Sequence, residues 1–174
     1  MKKFLPMILS TMMLLSTFFA GPVSTVSAEE SENGARILKF DTMVGIPAGL
    51  TGAQSVTPLR GISGGGLPWT LRSASGELKA SGRLEIQVRG LVLAAGANAG
   101  SNPLQTFRAT VSCLGSDGTP QNVQTEEFSA TTGPASSGGG NAKIKTTVDL
   151  PQPCIAPIIF ITSAGGNWLA VTGN

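Results

Sequence analysis

The chain has 174 residues, a formal charge of +2, no His, no Tyr and two Cys. Without His, the Ser-His and Cys-His nucleophile pairs and the commonest zinc ligand are excluded. Charged residues make up only 13% of the chain, so no basic face of the kind that nucleic acid or an anionic membrane requires is expected.

The first residues read as a targeting segment. Lys2 and Lys3 form a positive start, Phe4 to Ala20 is an apolar run broken by Pro6, and Val26-Ser27-Ala28 places small residues before a cut. This pattern predicts a secretory signal peptide over residues 1–28 with cleavage before Glu29. The run is short for a spanning helix, and Ala170 to Asn174 carries no hydrophobic tail. The expected product is therefore a secreted, extracellular chain with no membrane attachment after signal removal. The segment carries two of the twelve basic residues and none of the ten acidic ones, so residues 29–174 hold ten of each sign. They form one expected secreted β domain with an ordered core over about residues 35–173.

In chain order, Glu29 to Gly34 is polar and expected to fray. Ala35 to Val44 predicts a first strand, with Leu38, Phe40 and Val44 in one phase. Pro47 to Gly66, rich in Gly, Pro, Ser and Thr, predicts a long loop. Trp69, Leu71 and Ser73 alternate with Thr70, Arg72 and Ala74, and the change of inward phase predicts a bulge at Ser75-Gly76.

The clearest alternation is ELKASGRLEIQVRGLV, Glu77 to Val92. Leu78, Ala80, Leu84, Ile86 and Val88 are in phase, with charged and polar residues between them. A single strand of that length would be unusual. A three-residue loop, Ala80-Ser81-Gly82, folds it into a hairpin that pairs Leu78 with Leu84 and keeps both on one face. Glu77 then faces Glu85 on the wet side, a small cost.

Beyond a loop from Gly96 to Pro103, Phe107, Ala109, Val111 and Cys113 share a core face. Ser116 to Pro120 predicts a turn, Val123 to Thr131 a less regular strand disturbed at Glu126-Glu127, and Gly133 to Asn141 a flexible loop. Ala142, Ile144, Thr146, Val148 and Leu150 mark another strand, ended by Pro151 and Pro153. Ile158 to Ile161 is unbroken apolar sequence and predicts a central strand covered on both faces. Gly165-Gly166-Asn167 then turns into a last strand, Trp168 to Thr172.

Some seven to nine strands, no helix signal and Gly/Pro-rich turns predict an all-β fold, an antiparallel β-sandwich or barrel. Cys113 and Cys154, an even pair in a secreted chain without CxxC spacing, predict one structural disulfide that joins two halves of the fold. The segments RLEIQVRGLVL, FRATVSCL, PCIAPIIFITS and GGNWLAVTG resemble parts of a group of uncharacterised secreted bacterial β-sandwich-type proteins over most of residues 35–173. That resemblance implies no particular activity. The hairpin followed by Val-Arg-Gly-Leu is also similar to chordin-type repeat domains, whose His-containing motifs are missing here.

Chemistry-bearing patterns are sparse. Lys143 and Lys145 could complete a Ser-Lys pair but alternate outward on a strand. Glu126 and Glu127 are adjacent, so a strand sends them to opposite faces and not across a cleft. The Gly runs 64–66 and 138–140 match no phosphate-loop pattern, and Asp117 alone is too little for calcium. Trp69 shares a phase with Leu71 and is expected in the core. Trp168, beside Asn167 and the Gly-Gly turn, is the better candidate of the two for ligand contact, although the core is the favoured place for it as well. No catalytic set, metal or cofactor is expected. The sequence reads as a secreted, non-enzymatic domain with a structural or partner-binding role, its partner an external protein or polysaccharide. The alternative is a carbohydrate-binding module of the cell envelope or of an external polysaccharide.

Overall fold

The computed structural model describes residues 34–51 and 58–172. The expected signal segment, its expected cut before Glu29 and most of the polar stretch after it lie outside the described residues, as does part of the 47–66 loop. The fold is all-β and antiparallel. Among the described residues, nine strands have three residues or more and five further strands have two.

The first sheet has four strands in the order β1 (Arg36–Phe40), β4 (Ser73–Lys79), β5 (Arg83–Arg89) and β12 (Ala142–Thr147). Its centre is the predicted hairpin. Leu78 pairs with Leu84 and Glu77 with Glu85, and the ladder runs unbroken back to Ser73 and Arg89. Gly82 closes the loop at φ +83°, with its N–H donating to Lys79 O at 2.9 Å. A side chain there would meet the carbonyl of Val148, so the turn requires Gly on two counts. Leu78, Leu84, Ile86, Val88 and Ile144 supply the buried face of this sheet. Phe40 pairs with Gly76 and lays its ring where a side chain of Gly76 would sit.

The second sheet runs β10 (Phe128–Ser129), β8 (Thr106–Leu114), β13 (Ile155–Thr162), β14 (Trp168–Thr172), β2 (Met43–Gly45), and β9 (Pro120–Gln124) shares the outer edge of β8 with β10. Phe107, Ala109 and Val111 are fully buried, and β13 sets Ile159 opposite Val111 and Ile161 opposite Ala109. The two inner faces form one apolar cluster. Fully burying each Leu or Ile in it is worth about 1.5–3 kcal/mol. A bridge between Ala130 and Ala142 links the sheets along one side. Two small ribbons complete the fold: β3 (Trp69–Thr70) with β6 (Val92–Leu93), and β7 (Ser101–Asn102) with β11 (Gly133–Pro134).

β13 is central, as its apolar run predicts, and Ile159, Phe160 and Ile161 are consecutive and all buried. The outer side of this sheet is crossed by residues 59–65. Asn122 Nδ2 donates to Arg60 O at 2.9 Å, and Arg60 Nη2 donates to Ala156 O at 3.1 Å.

Four expectations are corrected. The first strand is two, because the chain crosses between sheets at Asp41-Thr42; the phase flips there, Met43 is buried and Val44 is exposed. No bulge lies at Ser75-Gly76: the phase changes at Leu71-Arg72, where the chain leaves the β3–β6 ribbon for the first sheet. Residues 133–141 are not a slack loop. They hold β11 and a 3-10 turn, Gly139 and Gly140 are buried, and Gly140 O accepts from Leu91 N at 3.0 Å. The Cys113–Cys154 disulfide is present, with Cα atoms 4.8 Å apart, but it does not join two halves. It ties β8 to the start of its neighbour β13, across the irregularity between Ile155 and Ile158 where Pro157 offers no N–H to the ladder.

Candidate functional site

At the end of the sandwich where β14 begins, the residues after Ile62 pair with that strand. Trp168 N donates to Ser63 O and Gly65 N to Trp168 O, both at 2.9 Å. Asn167 Nδ2 adds a bond to Gly64 O at 3.3 Å. The Gly64–Gly66 run is thereby fastened to the β13–β14 turn, which is itself closed by Ser163 N to Asn167 O at 2.9 Å. Across from it, β6 leads into the 94–100 turn, fixed by Ala94 N to Pro68 O and Gly100 N to Leu93 O, both 2.8 Å. Buried Asn102 then shapes the next corner: its side chain accepts from Leu104 N and donates to the carbonyls of Leu104 and Thr131.

Between these two arms lies a cavity of about 810 Å³. Its deep surface is Trp69, Leu93 and Leu169, all buried. Leu67, Pro103 and Leu104 form apolar walls, and Ser63, Asn98, Ser163 and Asn167 bring polar side chains to the edge. The lining residues include no Asp, Glu, Lys, Arg or Cys. The size and the mix of apolar surface with a few polar groups are those of a small-ligand site.

Gly65 keeps the cavity open. A Cβ there would stand 3.1 Å from Leu169 Cδ2 and 3.6 Å from Trp69 Nε1. Trp69 is 6% exposed, its ring meets Phe107 edge-on with centroids 6.4 Å apart, and no acceptor among the described residues takes its indole N–H. A donor is thus left beside Gly65 at the bottom of an apolar cavity.

Both Trp residues belong to the buried core, as expected of Trp69. Trp168 is 3% exposed and packs edge-on against Phe160 at 6.0 Å, so its indole belongs to the core and offers no stacking face. Its neighbour Asn167 does border the cavity, and Trp69, expected only in the core, lines it. Sequence reasoning missed Gly65, Leu67, Asn98 and Leu169, because the cavity is built from segments far apart in the chain. The triple Gly was the one available signal.

The remaining candidates disperse. Glu127 accepts from Thr106 Oγ1 at 2.7 Å and Arg108 Nη2 at 2.8 Å, bonds that hold its carboxyl below the usual range, while Glu126 is simply exposed. The two do not face each other across a cleft. Lys145 pairs with Glu85 at 3.4 Å. Lys143 and Ser75 border a smaller hollow of about 300 Å³. Gln87 stands between them in the strand register, so the Ser and the Lys are two strand spacings, about 10 Å, apart. Asp117 Oδ1 accepts from Thr119 N and Oγ1, which caps the turn and lowers its pKa. Among the described residues no group of three His, Cys, Asp or Glu side chains could hold a metal ion, and no helix is long and apolar enough to cross a membrane.

Comparison with protein-family models, with curated proteins and with solved structures finds no match to this chain.

Proposed function

We propose that this chain is a secreted, non-enzymatic β domain that binds an uncharged partner outside the cell, through the cavity between Gly64–Gly66 and the 94–104 arm. The observation that carries this reading is the lining: apolar at depth, polar at the edge, and free of ionisable side chains. Such a surface can select and hold a group, but it offers no general acid or base for turnover, and the Ser63 and Ser163 hydroxyls have no ionisable neighbour in the lining to activate them. The disulfide is compatible with an oxidising compartment.

A second reading, that the partner is carbohydrate, is favoured by the four hydroxyl and carboxamide side chains at the edge, Ser63, Asn98, Ser163 and Asn167. Co-sedimentation of the secreted protein with peptidoglycan, chitin and cellulose tests both readings. Retention on one of the three, lost about tenfold in a Leu67→Asp variant that folds normally, supports binding at the cavity. Leu67 is 44% exposed, so the substitution charges the wall without emptying the core. Equal retention of wild type and variant would place binding elsewhere.

A further inference from the structure

We infer that the cavity recognises an N-acetylated, uncharged saccharide, with the acetamido group inserted beside Gly65 and its carbonyl oxygen accepting from Trp69 Nε1. This rests on the reading of the cavity as a binding site and on its saccharide form.

Trp69 is 6% exposed and lines the cavity, and its indole N–H, which has no acceptor among the described residues, stays accessible to a group that enters there. A ligand acceptor that replaces water on this donor, inside a largely apolar cavity, makes a net favourable hydrogen bond. The surface around it, Leu93 and Leu169, is apolar and fully or nearly buried. An acceptor carried next to a small alkyl group satisfies both requirements, and an acetamido group is such a unit: its methyl meets the leucines and its carbonyl meets the N–H. A bare hydroxyl provides the acceptor without the methyl, and a carboxylate would bury a charge that no cation in the lining answers.

The edge of the cavity favours a sugar over a peptide as the bearer of that amide. Peptides are commonly held by adding a strand to a free sheet edge. Here the outer edge of β14 is already occupied by Ser63–Gly65 and by β2, and the backbone of Leu93 and Pro68 is paired with Gly100 and Ala94. What remains at the edge is side-chain hydrogen bonding from Asn98, Ser163 and Asn167, suited to ring hydroxyls. The fold has no exposed aromatic platform among the described residues, so the specificity must come from the inserted group and not from stacking on a sugar face.

Calorimetric titration of the secreted protein with the N-acetylglucosamine trisaccharide, with cellotriose and with N-acetyl-leucinamide is the test. The inference predicts that the acetylated saccharide binds about tenfold or more tightly than cellotriose, the worth of one neutral hydrogen bond and one buried methyl group. It further predicts that Trp69→Phe, which keeps the ring and removes the N–H, erases most of that preference. Asn98→Ala, on an exposed turn, is the second variant: it should weaken the acetylated saccharide several-fold with an unchanged melting curve. Equal binding of the two saccharides would overturn the acetamido inference and leave the saccharide reading standing. Binding of N-acetyl-leucinamide alone would overturn the saccharide and leave the cavity as a peptide site. No binding by any probe would overturn the inference and the saccharide reading together.

Discussion

Glu77 and Glu85 stand directly opposite each other across the β4–β5 hairpin, and each is held by a cation. Arg36 lies 3.7 Å from Glu77, and Arg83 and Lys145 lie 2.7 and 3.4 Å from Glu85. The like-charge contact that the hairpin register imposes is thus answered from β1, β5 and β12 on the solvent side of the same sheet. Hydrogen bonds from Arg83 and then Lys145 lower the Glu85 pKa.

The pH dependence follows from that direction. Glu85, Glu127 and Asp117 all have folded pKa values depressed below their ordinary 4.5 and 3.8, by bonds from Arg83, Thr106 and Thr119 respectively. The folded state therefore favours their ionised forms. The stability they contribute is fully present above the ordinary carboxylate range and is lost as pH falls through the folded values. Urea unfolding should give one stability from pH 7 to about 5 and a lower one near pH 3, with the small amplitude expected of exposed groups. Glu127→Gln should flatten part of the acid decline. An unchanged unfolding midpoint between pH 5 and 3 would contradict the assignment.

The disulfide closes a loop of 41 residues, worth about 4 kcal/mol in the chain-entropy model. Cys113→Ala or Cys154→Ala should cost about 2–5 kcal/mol in denaturant unfolding, and the double variant little more than either single one. Thiol titration of the secreted, unfolded protein without reductant should find no free thiol. Two per chain would remove the bridge from the account.

Gly82 and Gly66 make a contrasting pair. Gly82 has φ +83° and its Cβ would run into Val148 O, whereas a Cβ at Gly66 meets nothing within 4 Å. Gly82→Ala should destabilise by more than about 1 kcal/mol, and Gly66→Ala should lie within about 0.5 kcal/mol of wild type. Thermal unfolding of the two variants checks this, and equal melting temperatures would refute it.

Ser112 is fully buried on β8 and its hydroxyl has no hydrogen-bond partner among the described residues. Removing an unsatisfied buried polar atom relieves its desolvation cost, so Ser112→Ala should be neutral or stabilising by about 1 kcal/mol. A loss of more than about 1 kcal/mol would show that the hydroxyl is satisfied in solution.

Intact-mass measurement of protein from the culture medium should give a chain beginning at Glu29. Retention of residues 1–28 there would contradict the reading of that segment as a cleaved signal.

What the sequence made legible was local. Period-two alternation located the β4–β5 hairpin, β8 and β12, the Gly165-Gly166-Asn167 turn located β14, and the requirement that Leu78 and Leu84 share a face selected the three-residue turn. The apolar run at Ile158–Ile161 marked the central strand. Alternation carries no information about which sheet a strand joins, so the crossing at Asp41-Thr42 was read as a continuation and the ribbon exit at Leu71-Arg72 as a bulge further on. The cavity was illegible for the same reason. Trp69 and Trp168 are both apolar residues beside Gly-containing turns, and only the pairing of Ser63–Gly65 with β14 decides which indole faces open space.

The most direct test of the cavity as the binding site uses the two indole N–H groups, one from each Trp. In a proton–nitrogen correlation spectrum of the labelled protein, titration with the N-acetylglucosamine trisaccharide should move the Trp69 indole resonance saturably and leave that of Trp168, packed on Phe160, in place. A Trp69 resonance that stays fixed while the ligand binds, or one that moves no more than that of Trp168, would contradict the account.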